Sequence, residues 1–162
     1  MTQIIAVVGK SKSGKTTLIE KLIPELKKRG YRIGSVKHAH HGFEIDKKGK
    51  DSYRHRAAGA DVVVVASPDE IAVVKKVKTD SLDNLETFFS DMDLVLVEGY
   101  KRAQQPKIEV YDKNSHEAPL GVSKEELVAF VSDDGVDVDA PLYRRDQIVE
   151  LSDLIERRYL KP

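Results

Sequence analysis

The sequence carries a complete phosphate-loop motif, G-x-x-x-x-G-K-[ST], at residues 9–16. The apolar run of residues 4–8 precedes the motif and predicts a buried strand. Leucine and isoleucine at helical spacing over residues 18–26 predict a helix after it. Because this order directs backbone N–H groups and a helix N-terminus at one phosphate chain, it predicts a nucleoside triphosphate site. The motif does not specify the reaction.

The residue types within the motif have separate tasks. Gly9 and Gly14 permit backbone angles and a close approach that a side chain would prevent. Lys15 is expected to reach the terminal phosphates, and the Thr16 hydroxyl is expected to ligate Mg²⁺. The nucleotide-binding residues predicted here are Gly9, Lys10, Ser11, Lys12, Ser13, Gly14, Lys15, Thr16 and Thr17.

Composition limits the class of protein. The length of 162 residues suits one nucleotide-binding domain over residues 1–162, and 27 basic residues balance 27 acidic ones, so we expect no nucleic-acid partner. The lack of cysteine excludes disulfides and thiolate zinc sites. Because no apolar run approaches the roughly 20 residues of a membrane span, we expect no membrane association and a cytoplasmic location.

Strands and helices alternate along the chain, which predicts an α/β fold with a doubly wound, mainly parallel sheet between layers of helices. The predicted strands span residues 4–8, 32–37, 61–67, 70–77, 92–97, 107–111 and 127–132. The predicted helices span residues 16–29, 51–58, 81–90 and 152–160. Four consecutive valines at residues 62–65 predict a fully buried strand. Pro24 predicts a kink or an early end in the first helix.

A carboxylate and a glycine, Glu98 and Gly99, follow the apolar strand of residues 92–97. In phosphate-loop proteins a carboxylate at a neighbouring strand tip holds Mg²⁺, so Glu98 is a predicted metal ligand. The N–H of Gly99 is expected to face the terminal phosphate. The alternative is a solvated glutamate at a strand end.

A basic stretch containing three histidines follows the second strand, which we expect beside the phosphate loop. Asp46 and Asp51 would then orient the Mg²⁺ waters. His38, Lys50 and Arg54 would face a phosphate or a second anion, because the cations here exceed what one triphosphate needs. Two alternatives stay open, a transition-metal site built from histidine and aspartate and an ordinary solvated loop.

Several collinear blocks across most of residues 4–134 resemble the MobB family of molybdopterin-guanine dinucleotide biosynthesis adaptor proteins. The blocks are residues 14–18, 37–41, 46, 49–53, 58–60, 97–101 and 106–110. The resemblance implies a GTP-binding protein with Mg²⁺ that hydrolyses GTP weakly, if at all. It also implies a homodimer that helps a molybdenum cofactor guanylyltransferase attach GMP to molybdopterin. Strands 70–77 and 107–111 are expected to offer edges for pairing in the dimer.

The sequence gives less information about which residues recognise the nucleotide base, because the Asn-Lys-x-Asp signature of many GTPases is missing. Asp133 follows a predicted strand and is a candidate guanine contact, since a carboxylate accepts hydrogen bonds from the guanine N1–H and amine. The alternative is a simple turn residue. A different functional class also remains open, a small-molecule kinase of the dethiobiotin-synthetase type that uses the same phosphate cradle.

Overall fold

The computed structural model describes residues 2–39, 42–79 and 81–161. The chain forms two compact units. The first comprises Met1–His38 and Thr87–Pro162, and the second comprises Ala39–Glu86.

The strands of the described residues fall into two sheets. They are β1 (Gln3–Val8), β2 (Ile33–Lys37), β3 (Val62–Ala66), β4 (Ile71–Lys75), β5 (Leu94–Glu98), β6 (Lys107–Val110), β7 (Leu127–Val131) and β8 (Leu142–Tyr143). Six of them form a parallel sheet in the order β2-β5-β1-β6-β7-β8. The chain moves first to one side of β1 and then, after β5, to the other. The predicted doubly wound, mainly parallel α/β sheet is therefore confirmed, with its change of direction at β1.

The helices are α1 (Lys15–Lys28), α2 (Asp51–Ala57) and α3 (Ile148–Ile155), with a 3₁₀ segment at Leu82–Phe88 and a π-helical turn at Glu156–Leu160. The C-terminal helix therefore begins four residues before the predicted start. Helix α1 does not end at Pro24 but continues to Lys28. The expected stop at Gly30 is confirmed just beyond the helix. Gly30 has a φ of +95°, and its N–H donates to the Lys27 carbonyl at 2.9 Å.

One hydrophobic cluster joins α1 and α3 to a face of the six-stranded sheet. Leu22 and Leu26 of α1 and Ile155 of α3 are fully buried in it, together with Ile5 and Leu96 of the central strands. Burying a side chain of this size contributes about 1.5–3 kcal/mol. The strand tips that carry the phosphate loop are therefore held by a well-packed support.

The opposite face of the sheet is covered by an aromatic side chain and by the β6–β7 connection. A Cβ on Gly34 would lie only 2.6 Å from a ring carbon of Phe89, so the absent side chain makes room for that ring. Glu109 of β6 is 1% exposed, and its carboxylate accepts the N–H groups of Leu120 (2.5 Å) and Val122 (3.2 Å). This buried carboxylate anchors the connection that starts at the phosphate-loop end of the sheet and leads to β7.

The second unit contains α2 and an antiparallel hairpin of β3 and β4. The prediction of a fully buried strand at residues 62–65 is wrong. Val63 is buried, whereas Val62, Val64 and Val65 are about half exposed. The physical reason is that β3 pairs with β4 and with no other strand of the described residues, so the valine run forms part of a two-stranded sheet rather than the central sheet.

Two expectations about strand neighbours are also wrong. Strand β6 lies between β1 and β7, so it has no free edge to offer in a dimer. Strand β2 pairs with β5, not with β1, so the segment that follows β2 does not leave a strand next to the phosphate loop. Pairing order in a parallel sheet is a tertiary property that the separate apolar runs do not encode.

A polar cluster ties the end of α1 to α3. The Arg29 guanidinium binds Glu25 at 2.9 Å, Asp153 at 2.7 Å and Glu156 at 3.2 Å, with its side chain only 15% exposed. The Tyr31 hydroxyl donates to Glu156 at 2.8 Å. This hydrogen bond, with further support from neighbouring cations, lowers the pKa of Glu156 below its ordinary value of 4.5.

No helix of the described ranges is both long enough and apolar enough to cross a membrane.

We expect Arg29→Ala to lower the free energy of unfolding by about 2 kcal/mol, because it removes the guanidinium from the half-buried carboxylates of Glu25 and Glu156. Lys28→Ala, which removes the same charge from an exposed position in the same turn, should change it little. Urea denaturation at pH 7 measures both variants, and equal losses would contradict a structural role for the cluster.

The contribution of Glu156 should depend on pH with a definite sign. Because folding lowers the pKa of Glu156, its stabilisation is complete above pH 4.5 and is lost as the pH falls through the folded-state pKa. The stability difference between the natural chain and Glu156→Gln should therefore be largest near pH 7 and shrink in acid. A difference that stays constant from pH 7 to pH 3 would contradict this assignment.

Candidate functional site

The phosphate loop occupies the turn between β1 and α1. Its backbone takes positive φ angles at Gly9 (+154°), Lys12 (+62°) and Gly14 (+99°). Gly14 precedes the first turn of α1, where no side chain caps the helix. The first N–H groups of a helix have no partner within the helix, so this turn presents donors and a positive dipole end to an anion.

Gly9 is required by close packing as well as by its angle. A Cβ at this position would lie 2.4 Å from the Val110 carbonyl oxygen and 2.5 Å from the Ser13 hydroxyl oxygen. Ser13 is fully buried, and its hydroxyl has no hydrogen-bond partner among the described residues. The start of the loop is thus pressed against the end of β6, with a buried polar group facing it.

Lys15 crosses the loop, and its ammonium donates to the Lys10 carbonyl at 2.8 Å. Burial lowers the pKa of Lys15 from its ordinary value of 10.5; Glu98 acts in the opposite direction, and Lys101 and Lys37 lower the pKa further. Excess positive charge therefore surrounds the loop. A bound polyanion would relieve this repulsion and favour the charged form of Lys15.

Thr16 and Glu98 meet at the tip of β5. Strand β1 pairs with β5 so that Val7 lies opposite Glu98, and the Thr16 hydroxyl donates to the Glu98 carboxylate at 3.0 Å. The expected position of the loop beside the tip of this strand is confirmed. A hydroxyl and a carboxylate at this separation supply the oxygen ligands that Mg²⁺ prefers.

The residues next to Glu98 differ from expectation in one respect. The N–H of Gly99 does not face a phosphate position, because it donates to the Val7 carbonyl at 3.1 Å. Tyr100 follows with a φ of +50°, and its ring stacks on His38 with centroids 4.2 Å apart. His38 is itself joined to the strand end, since its N–H donates to the Glu98 carbonyl at 2.9 Å. His38 therefore lies at the Glu98 side of the loop.

A second group of charged residues lies at the ends of β6, β7 and β8. Asp133 accepts a hydrogen bond from the backbone N–H of Arg145 at 3.0 Å, and its other oxygen lies 3.6 Å from the guanidinium Nε. The Arg145 Nη2 donates to the Tyr111 carbonyl at 3.1 Å and lies 3.9 Å from Asp112. The predicted base contact Asp133 is thus part of an ion-pair cluster rather than an isolated turn residue.

Arg145, Asp112 and His116 were not predicted as site residues. The His116 Nε2 lies 2.5 Å from the Ser11 carbonyl of the loop. One available signal was that Asp112, like Asp133, directly follows a predicted strand. Arg145 follows a strand of only two residues, which is too short to show a period.

The remaining predicted residues lie in the second unit. Asp46 accepts a hydrogen bond from Ser52 at 3.0 Å, and Asp51 pairs with Arg54 at 3.6 Å on an exposed surface. A cavity of about 580 Å³ within this unit is lined by Asp46, Lys50 and Asp51 together with His55 and β3. The unit therefore places acidic and basic groups around one cavity.

The alternative of a transition-metal site involves His40 and His41, which lie outside the described residues. Within residues 2–39, 42–79 and 81–161, no three side chains of the metal-binding types converge on one point.

Comparison with known proteins places these features in a family. The family model of the molybdopterin guanine dinucleotide synthesis protein B, MobB, matches residues 4–133. The molybdopterin-guanine dinucleotide biosynthesis adapter protein of Haemophilus influenzae is 38% identical over 156 residues, 94% of this chain and 87% of the relative. The protein of the same name from Escherichia coli is 36% identical over 161 residues, 96% of this chain and 92% of the relative.

Solved structures agree with the sequence comparison. A crystal structure of molybdopterin-guanine biosynthesis protein B superimposes with a TM-score of 0.77 at 32% identity, covering 98% of this chain and 99% of the other. The structure of Bacillus subtilis MobB gives a TM-score of 0.78 at 30% identity, covering 98% of both chains.

We expect Gly9→Ala to lower the free energy of unfolding by about 2 kcal/mol or more, because the new methyl group would overlap the Val110 carbonyl. Gly121→Ala is the matched control, since Gly121 also has a positive φ (+76°) but nothing lies within 4 Å of its Cβ position. The control should lose only about 1 kcal/mol, the cost of a left-handed conformation for a residue with a Cβ. Chemical denaturation of both variants measures the difference, and equal losses would contradict the packing argument.

Proposed function

The chain belongs to the MobB family, and on that premise we propose that it is an accessory GTP-binding protein of molybdopterin guanine dinucleotide synthesis. In this proposal it assists a partner nucleotidyltransferase that attaches GMP to molybdopterin. The observation that carries the proposal is the Lys15–Thr16–Glu98 constellation at the phosphate loop, in a chain whose relatives are named adapter proteins.

The residues present fit GTP and Mg²⁺. The positive φ angles of the phosphate loop and the uncapped first turn of α1 suit the phosphates. Thr16 and Glu98 would hold Mg²⁺, directly or through water, and Lys15 would contact the terminal phosphates. When bound, the cation neutralises phosphate charge and keeps the triphosphate in one conformation. The chain's own contribution is to bind, orient and charge-balance the nucleotide.

The kinase alternative is not favoured, because the relatives carry the name of an adapter and the family model describes a synthesis protein. Lys50 and Arg54 are proposed to contact a second anion, such as the phosphate of the pterin. Asp46 and Asp51 are proposed to act on the Mg²⁺ waters. The support for the anion contact is the position of Lys50 and Arg54 at one cavity and one helix start in the second unit, whereas the assignment of Asp46 and Asp51 rests on the sequence alone.

The proposal also includes a homodimer. The support is the exposed apolar surface of the β3–β4 hairpin, where Val64, Ile71 and Val73 are 40–71% exposed. An exposed valine-rich hairpin has unpaired edges and apolar side chains that a second copy would cover. A single functional domain over residues 1–162 and a cytoplasmic location, where GTP is made and used, complete the proposal.

We expect Lys15→Ala to weaken binding of Mg-GTP by about 1.5–3 kcal/mol, the value of a hydrogen bond to a charged group. Thr16→Ala should act similarly in the presence of Mg²⁺. Glu98→Ala should abolish the gain in affinity that Mg²⁺ gives and leave binding in EDTA unchanged. Isothermal titration calorimetry with and without Mg²⁺ measures these effects. Lys27→Ala, on the exposed side of α1, is the matched control and should bind normally.

An unchanged Mg²⁺ dependence in Glu98→Ala would show that this carboxylate does not serve the metal. Normal GTP binding by Lys15→Ala would count against the nucleotide site as a whole.

Charge reversal at Lys50 and Arg54, as K50E with R54E, should leave GTP affinity within a few-fold but impair stimulation of GMP transfer by the partner transferase. The physical reason is that the phosphate loop already supplies the donors for one triphosphate. GTP titration and a coupled GMP-transfer assay provide the two readouts. Loss of GTP binding would assign the segment to the nucleotide site, and loss of neither property would make it a solvated surface.

A further inference from the structure

Arg145 reaches the phosphate loop from the side opposite Glu98. Its Nη1 lies 3.3 Å from the position that a Cβ on Gly14 would occupy, so the guanidinium rests directly on the loop. The sheet order puts the Glu98 strand on one side of β1 and the strands that precede Arg145 on the other. Different charged groups therefore lie on the two sides of the phosphate loop, Glu98 on the β5 side and Arg145 on the β6 side.

The guanidinium is held in one orientation by groups from two strand ends. Tyr111 accepts a hydrogen bond at 3.1 Å from the end of β6, Asp112 lies 3.9 Å away, and Asp133 from the end of β7 lies 3.6 Å away. The Nε is buried without a hydrogen-bond partner in the described part of the chain. The side chain as a whole remains 33% exposed, so part of this fixed planar cation faces solvent.

The position of Glu98 indicates where a nucleoside would lie. The terminal phosphates and Mg²⁺ belong at Thr16 and Glu98, on the β5 side of the loop. A nucleotide that runs along the loop from this point extends its sugar and base towards the other side. That side is formed by Asp112, Asp133 and Arg145.

The charge balance around Arg145 distinguishes a base contact from a phosphate contact. Two carboxylates lie within 4 Å of the guanidinium, so much of its charge is already compensated. A compensated guanidinium is a poor phosphate ligand, but it keeps the flat surface that stacks on an aromatic ring.

We propose that Arg145 is a nucleobase-binding residue: its guanidinium stacks on the purine, and its backbone and side chain hold the Asp133 carboxylate towards the edge of the base. This inference rests on the nucleotide site proposed above. It assigns the base specificity of that site to a pair of residues from the segments after β7 and β8, rather than to a continuous sequence motif.

The test compares GTP with inorganic tripolyphosphate, which has the phosphate chain but no base. Arg145→Ala should weaken GTP binding about tenfold and leave tripolyphosphate binding unchanged. Arg145→Lys keeps the charge but loses the flat surface, so it should show the same selective loss. Arg144→Ala is the matched control, because Arg144 is adjacent, carries the same charge and is 68% exposed.

A second variant tests the edge of the base. Asp133→Asn still accepts the Arg145 N–H, but its amide donates where the carboxylate accepts. Xanthine carries a carbonyl in place of the guanine amine, so this variant should lose affinity for GTP and gain affinity for xanthosine triphosphate. Thermal unfolding of each variant establishes that the fold is kept, and Asp133→Asn remains informative if Arg145→Ala does not fold.

Four results with the variants would overturn the inference. They are an equal loss of GTP and tripolyphosphate binding in the Arg145 variants, no loss of either, an equal loss in Arg144→Ala, and an unchanged preference between GTP and xanthosine triphosphate in Asp133→Asn. Equal affinities of the natural chain for tripolyphosphate and GTP would also overturn it, but would leave the assignment of the phosphate loop intact. Natural chain that binds neither compound would instead refute the proposed function.

Discussion

The parallel pairing of β1 with β5 is the contact on which the candidate site depends. It places Val7 opposite Glu98, and that register brings the Glu98 carboxylate within 3.0 Å of the Thr16 hydroxyl. The two residues are 82 positions apart in the sequence. A shift of one residue in this pairing would turn the carboxylate to the other face of the sheet, because side chains alternate along a strand. The meeting of these two oxygen-bearing side chains is thus a consequence of strand register.

Strand β6, on the other side of β1, constrains the conformation of the phosphate loop. The end of β6 presents the Val110 carbonyl so close to Gly9 that no side chain fits between them. The buried carboxylate of Glu109 in the same strand holds the connection that follows. From that connection His116 reaches back to Ser11. The loop is consequently supported from both neighbouring strands, and its positive φ angles are maintained by packing rather than by glycine alone.

The charged groups around the phosphate loop favour the binding of an anion. Burial lowers the pKa of Lys15, and nearby lysines act in the same direction, while Glu98 opposes them from the tip of β5. On the opposite side Arg145 is compensated by Asp112 and Asp133. The site therefore changes along its length from uncompensated positive charge to a balanced ion-pair cluster. This gradient suits a ligand with a charged and an uncharged end, which is the property that a nucleotide has.

The sequence by itself determined the local elements. The phosphate loop, the strand before it, the helix after it and the carboxylate at Glu98 all follow from motif spacing and apolar periodicity, because those signals are contained within a few neighbouring residues. The comparison with the MobB family confirms the class of fold that they indicate. Gly30 was likewise predictable as a helix end, since its conformation is a local property.

Only the tertiary structure decided which strands are neighbours. It separated the valine run of β3 from the central sheet, placed β5 between β1 and β2, and engaged the N–H of Gly99 with Val7. It also brought Arg145 to Asp133 and to the phosphate loop, although a strand of two residues gives no periodic signal. The physical reason is common to these cases: hydrogen-bond pairing and burial depend on partners that are distant in sequence, and no local pattern records which partner is chosen.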